Sequence, residues 1–131
     1  MTLVLDTGAL IQVDRGNRHI LSMIETALNR GERVHVPAGV IGQAWRDPSR
    51  RARLSRALRR CDEVDLTGSR ARASGQLCGE AGTSDVIDAS VAVAVAEASR
   101  RDPHVSLLTS DLHDLNALLA AVRVGARVVD V

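Results

Sequence analysis

Apolar residues fall in two rhythms along this chain. Leu3, Val4 and Leu5 form a short unbroken apolar run, and Val105 to Thr109, with Val105, Leu107 and Leu108 apolar, form a second short strand-like run. Runs of this length and composition predict strands buried on both faces. Between them the period lengthens. Residues 8–15 predict a short helical turn, and residues 17–30 place Ile20, Ile24, Ala27 and Leu28 on one helical face. "GERVHVP" predicts a turn and a strand at 33–36, with Pro37 opening a helix over 38–46. Pro48 breaks that helix, and residues 49–60 predict an arginine-rich one whose apolar face is Leu54, Ala57 and Leu58. "DEVDL" predicts a third strand at 62–66, and 68–80 a further helix.

The segment 85–101 carries both periods. "SVAVAVA" alternates like a strand, but its alanines, Glu97 and its length favour a helix. A helix over 111–123 and a final strand in "ARVVDV" complete the pattern. Strands alternate with helices throughout, in a length that fits one domain over 1–131. Such alternation predicts an α/β fold whose mainly parallel sheet is covered on both faces. Ligands of these sheets bind beyond the carboxyl ends of the strands, where the strand order reverses. Asp6 follows the first strand at once, and Asp111 stands just past the fourth. If those two strands are neighbours, the two carboxylates converge.

A third acidic element is "TSDVIDA", where Asp85 and Asp88 are three apart at a helix start and share a face. Asp114, three after Asp111, is a further candidate. Each of Asp6, Asp85 and Asp111 has a simpler explanation as an N-cap of the helix that follows. Asp88 lies inside a first turn, where the helix dipole favours it. Taken together, convergent carboxylates repel, and a hard divalent cation such as Mg²⁺ or Mn²⁺ relieves the repulsion.

Composition narrows the chemistry. Apolar residues make up 45% of the chain, yet Trp45 is its one aromatic residue. The core must be aliphatic, and base-stacking platforms of Phe and Tyr are excluded. All 17 basic residues are arginine. A GC-rich genome gives the same bias, but the absence of lysine still excludes lysine-dependent sites. P-loop NTPases, receiver domains and haloacid-dehalogenase phosphatases normally use one, and "LDTGA" also lacks the second Asp of the dehalogenase DxD. There is no GxGxxG. Cys61 and Cys78 have no zinc-site spacing, which fits a reduced cytoplasmic setting. Asp6 interrupts the first apolar run and no basic leader precedes it, so a signal peptide is not expected. No apolar stretch reaches membrane-spanning length.

"VLDTGALI", "VHVPAGVIGQAW", "SDVIDASVA" and "LLTSDLHDL" occur in that order across almost the whole chain. In this the sequence resembles PIN domains of the VapC toxin type. The resemblance implies a three-layer α/β/α fold and a metal-dependent ribonuclease acting on RNA with Mg²⁺ or Mn²⁺. It also implies a VapB-type antitoxin partner and a homodimer. Carried over by motif, Asp6, Asp88 and Asp111 are the catalytic and metal-binding acids, with Asp85 and Asp114 supplementary. One position departs: Gln43 stands where the family usually has glutamate. Its carbonyl oxygen can still hold a water or a metal, but it brings no charge. A degenerate PIN domain that binds RNA or a partner without cutting is the alternative, and a DNA-directed nuclease of the same fold is a third reading.

"WRDPSRRARLSRALRR" sets seven arginines against the single acid Asp47. A charged helix face is usually just solvated. The one-sided sign also suits phosphate contact, which nominates Arg46, Arg50, Arg53 and Arg56 as RNA-binding residues.

Overall fold

The computed structural model describes residues 1–47, 49 and 51–131, with Arg51 described by its backbone alone. Pro48, expected to break a helix, and Arg50, expected to meet RNA, lie outside the described residues.

Five strands form one sheet, and every pairing is parallel. They are β1 (Thr2–Leu5), β2 (Arg33–Pro37), β3 (Asp62–Val64), β4 (Val105–Thr109) and β5 (Arg127–Asp130), in the order β3-β2-β1-β4-β5. The central strands are the apolar runs: every residue of β1 and β4 is buried. The edges differ. β3 stops at Val64, two residues short of the expected strand, and both β3 and β5 leave residues exposed. Short, polar edges discourage pairing with a foreign strand.

Seven helices among the described residues flank the sheet, giving the three-layer α/β/α architecture. After β1 come α1 (Thr7–Asp14) and α2 (Arg18–Asn29); after β2 come α3 (Ala38–Ala44) and α4 (Arg51–Leu58). α5 (Gly68–Ala81) and α6 (Val86–Ser99) precede β4, and α7 (Leu112–Ala121) follows it. The chain steps from β1 through β2 to β3, then crosses back to β4 and on to β5. Right-handed crossovers place helices of opposite steps on opposite faces. Accordingly α1 packs with α2 and α4, while α5, α6 and α7 pack with one another, and α3 touches both α1 and α6.

The alternating "SVAVAVA" is helical, and its surroundings explain the ambiguity. α6 packs on β1, β2 and β4 beneath, and on α5 and α7 beside it. Asp88, Ala89, Ser90, Val91, Ala92, Ala94, Val95 and Ala98 are all buried. A helix enclosed on most sides has no polar stripe to reveal its period. Small alanines let it lie close to the sheet, and burying each valine contributes about 1.5–3 kcal/mol.

Two glycines set local geometry. Gly16 ends α1 with φ +75°, a left-handed conformation that costs other residues energy. Its N–H donates to Val13 O and that of Asn17 to Gln12 O, closing the helix end. At Gly8, a Cβ would stand 2.2 Å from Ser110 Oγ and 3.0 Å from Ser110 N. The first turn of α1 therefore touches the turn between β4 and α7. No helix among the described residues is long and apolar enough to cross a membrane.

Candidate metal centre

Strands β1 and β4 are hydrogen-bonded neighbours, with Leu5 opposite Leu108. The strand order reverses between them, so their carboxyl ends frame the switch point of the sheet. Asp6 N–H donates to Leu108 O at 3.0 Å, carrying the ladder one residue beyond β1. β1 and β4 are thus neighbours, and the chain exits bearing Asp6 and Asp111 lie side by side.

The capping explanation and the convergent one both hold. Asp6 is the N-cap of α1, Asp85 of α6 and Asp111 of α7. Asp6 Oδ1 accepts from Thr7 N–H at 2.7 Å and Asp85 Oδ1 from Asp88 N–H at 3.0 Å. Asp111 Oδ1 accepts from Asp114 N–H at 3.4 Å. Three helices therefore begin near one another, and their positive ends favour the acids gathered there.

Asp6 is 3% exposed and Thr109 is wholly buried. The Thr109 hydroxyl donates to Asp6 Oδ2 at 2.6 Å and accepts from Asp111 N–H at 2.9 Å. One hydroxyl thus fixes the rotamer of Asp6 and the turn that aims Asp111. Burial raises the Asp6 carboxyl above its ordinary value; the bonds from Thr109 and Thr7 oppose this, and Asp111 and Asp85 add to it.

Asp88 lies in the first turn of α6 and is 8% exposed. Burial first, then the charges of Asp85, Asp6, Asp111 and Asp114, push its carboxyl up to about 7. A carboxyl oxygen from each of Asp88, Asp111 and Asp114 lies within 4.8 Å of the others. At ordinary Mg²⁺ bond lengths neighbouring octahedral ligands stand about 3 Å apart and opposite ones about 4.2 Å, so a bound ion would have to draw the three oxygens closer together. The donor set is all carboxylate, the chemistry a hard cation prefers, so these residues fit the expected metal.

The grouping differs in emphasis from the motif. Asp114 stands among the three close carboxylates, whereas Asp6 stands beside them with both oxygens engaged. Asp85 is exposed and serves α6 as its cap. Gln43, near the end of α3, accepts a hydrogen bond at Oε1 from the Thr7 hydroxyl at 2.5 Å. Its carbonyl oxygen is therefore committed to the residue next to Asp6. His113 is exposed.

Thr109, Gly8 and Ser110 were not singled out by the sequence. A threonine at the end of a strand is ordinary β-sheet chemistry. Its position two residues before Asp111 was the available signal.

Among the arginines, Arg46 is exposed, and its Nε donates to Gln43 O at 3.0 Å. Arg53 and Arg56 are exposed on α4, while Leu54 and Leu58 are buried beneath them. Trp45 is 38% exposed, at the surface rather than in the core.

No family model matches the sequence, and no curated protein matches it. Among solved structures, a chain of VapBC2 from Rickettsia felis, crystallised bound to a DNA fragment from their promoter, is similar in fold. It superposes with a TM-score of 0.65 over 100% of this chain and 99% of that one, at 13% sequence identity.

Proposed function

We propose that the chain is a metal-dependent endoribonuclease, the toxin of a VapC-type toxin–antitoxin pair. The observation that carries this is the meeting of Asp88, Asp111 and Asp114, with buried Asp6 beside them, at the switch point of a parallel sheet. The shared fold with a VapBC2 chain and the ordered motifs support the same reading. In this reading Asp88 and Asp111 hold Mg²⁺ or Mn²⁺ together with Asp6 or Asp114. Such an ion, when bound, supplies a Lewis acid at a phosphoryl oxygen and a more acidic attacking water.

The chain's own residues do the rest. Thr109 holds Asp6 in one rotamer and the Asp111 turn in one geometry, so two acids reach the site preorganised. Burial and the neighbouring acids push the Asp88 carboxyl up to about 7, so near neutrality it is partly protonated and would give up that proton on becoming a ligand. Gly8 lets the β4–α7 turn approach α1, which keeps the acids together. A VapB-type antitoxin and a second copy of the chain are the partners of this reading.

Purified protein, freed of any bound partner, would be incubated with tRNA, rRNA and DNA in Mg²⁺, Mn²⁺ or EDTA. Cleavage of RNA with metal, lost in EDTA and in Asp6→Asn and Asp88→Asn, is the expected result. Cleavage that survives EDTA and both substitutions would overturn the mechanism, and cleavage of DNA alone would overturn the substrate. A second reading rests on Gln43, whose oxygen is already bonded to Thr7. On that reading the domain binds RNA or a partner without cutting, and the same assay would show binding and no products.

A further inference from the structure

A second feature lies at the far end of α1 from the acids. Asp14, Arg15, Ser49, Ala52, Arg53 and Arg56 line an open cleft of about 610 Å³ between the end of α1 and α4. Among the described residues of the lining, three arginines face one carboxylate, that of Asp14, and Ala52 is the one apolar side chain.

Arg53 is built into the fold. One of its five N–H donors is spent on Asp14 O, at 2.8 Å from Nη1, satisfying a carbonyl at the end of α1. The guanidinium lies over Gly16, where a Cβ would stand 2.7 Å from Nη1. The bare left-handed glycine that closes α1 is thus also the seat of the Arg53 head group. This anchoring removes much of the entropy cost of ordering an arginine on a ligand. Arg15 and Arg56 stand exposed on the same cleft.

The chain connects this cleft to the acids. Gln43 is tied to Thr7 at the start of α1, and Arg53 to Asp14 at its end. Arg46, which follows α3, is exposed and is itself bonded to Gln43 O. α1 has eight residues, so the two ends are separated by about 12 Å. That distance suits a few nucleotides of single strand tracking a basic groove.

We propose that the cleft of Arg15, Arg53 and Arg56 is a phosphate subsite for single-stranded RNA, holding the backbone a few nucleotides from the bond presented to the acidic cluster. The inference rests on the ribonuclease reading and adds a register to it. Guanidinium forks match phosphate oxygens in pairs, and phosphate recognition needs no apolar floor. An amphipathic peptide would need apolar anchors, of which the described lining residues offer only Ala52.

Binding is measured in EDTA by fluorescence anisotropy, with end-labelled single-stranded RNAs from two to ten nucleotides across a salt series. Wild type gains affinity once the strand is long enough to span α1. Arg15→Gln/Arg56→Gln, two exposed substitutions whose melting temperature serves as the folding control, loses that gain. Its salt slope falls by about 1.4, from two phosphate contacts at about 0.7 each. Adding Arg53→Gln deepens the loss. An unchanged slope and length dependence in the triple variant overturns the inference. So does a variant that binds RNA normally but no longer binds a polyglutamate peptide, which would assign the cleft to an acidic protein segment. Because no metal is present, the two readings fail separately. Wild type that cleaves RNA in Mn²⁺ while the variants bind as wild type sinks only the subsite. Wild type that shows the length-dependent gain but never cleaves sinks only the nuclease.

Discussion

Replacing Asp88 with asparagine should stabilise the metal-free protein at alkaline pH. Asparagine has nearly the same shape and no charge, and the backbone N–H that Asp85 accepts from is kept. In the fold the Asp88 carboxyl is carried from its ordinary 3.8 to about 7. Its proton is thus held more tightly folded than unfolded. The stability tied to it is fully present below the unfolded value and is lost as pH rises through about 7. About three pH units at about 1.4 kcal/mol each give a ceiling of roughly 4 kcal/mol. Solvent around exposed Asp85 and Asp114 screens part of this, leaving about 2 kcal/mol. For a chain of this size that is a shift of about 5–10 °C in melting temperature. Calorimetry in EDTA between pH 4 and pH 8.5 is the assay. The two proteins should melt close together near pH 4, and the variant well above wild type at pH 8. Mn²⁺ should reverse the order, since a ligand at a hundred times its Kd stabilises by about 2.7 kcal/mol and the variant has lost a donor. Parallel pH profiles for the two proteins would show that Asp88 bears no electrostatic strain, and the account of a repulsive acidic cluster would fail.

Thr109→Val keeps the shape and removes the hydroxyl between Asp6 and Asp111; denaturant melts should show a loss of about 1–3 kcal/mol, with RNA cleavage reduced beyond what the loss of folded protein explains. Gly8→Ala forces a Cβ against Ser110, so it should cost about 1–3 kcal/mol by overpacking, and a melt equal to wild type would refute that close approach. Gln43→Glu adds a charge beside the acids and should tighten Mn²⁺ binding in calorimetry. The gain should shrink in an Asp88→Asn background if both residues serve one cluster; equal Mn²⁺ affinity in Gln43→Glu and wild type would place residue 43 outside the coordination sphere.

The central strands were legible because parallel strands buried on both faces read as near-continuous apolar runs, as Leu3–Leu5 does and as Val105–Thr109 does apart from Ser106 and Thr109. Asp6 and Asp111 were legible by position, as the acids that follow those runs. Other features were hidden for physical reasons. Capping and convergence use the same residue type, so only the structure shows that Asp111 does both, while Asp85 serves as a cap. Thr109 looks like any β-branched strand residue until its hydroxyl is seen between two acids. Asp114 owes its place among the close carboxylates to side-chain directions that spacing does not encode. Arg15 belongs to a different helix from the arginine-rich segment and joins Arg53 only because Gly16 lets the two meet.

The pairing of β1 with β4 also sets when the acids can be brought together. Asp6 is made about a hundred residues before its neighbours across the sheet, Leu108 and Thr109. Contacts so distant in sequence pay their loop-closure entropy before they are rewarded, and they form late. The three close carboxylates of Asp88, Asp111 and Asp114 therefore meet only in a chain that has been synthesised through Asp114.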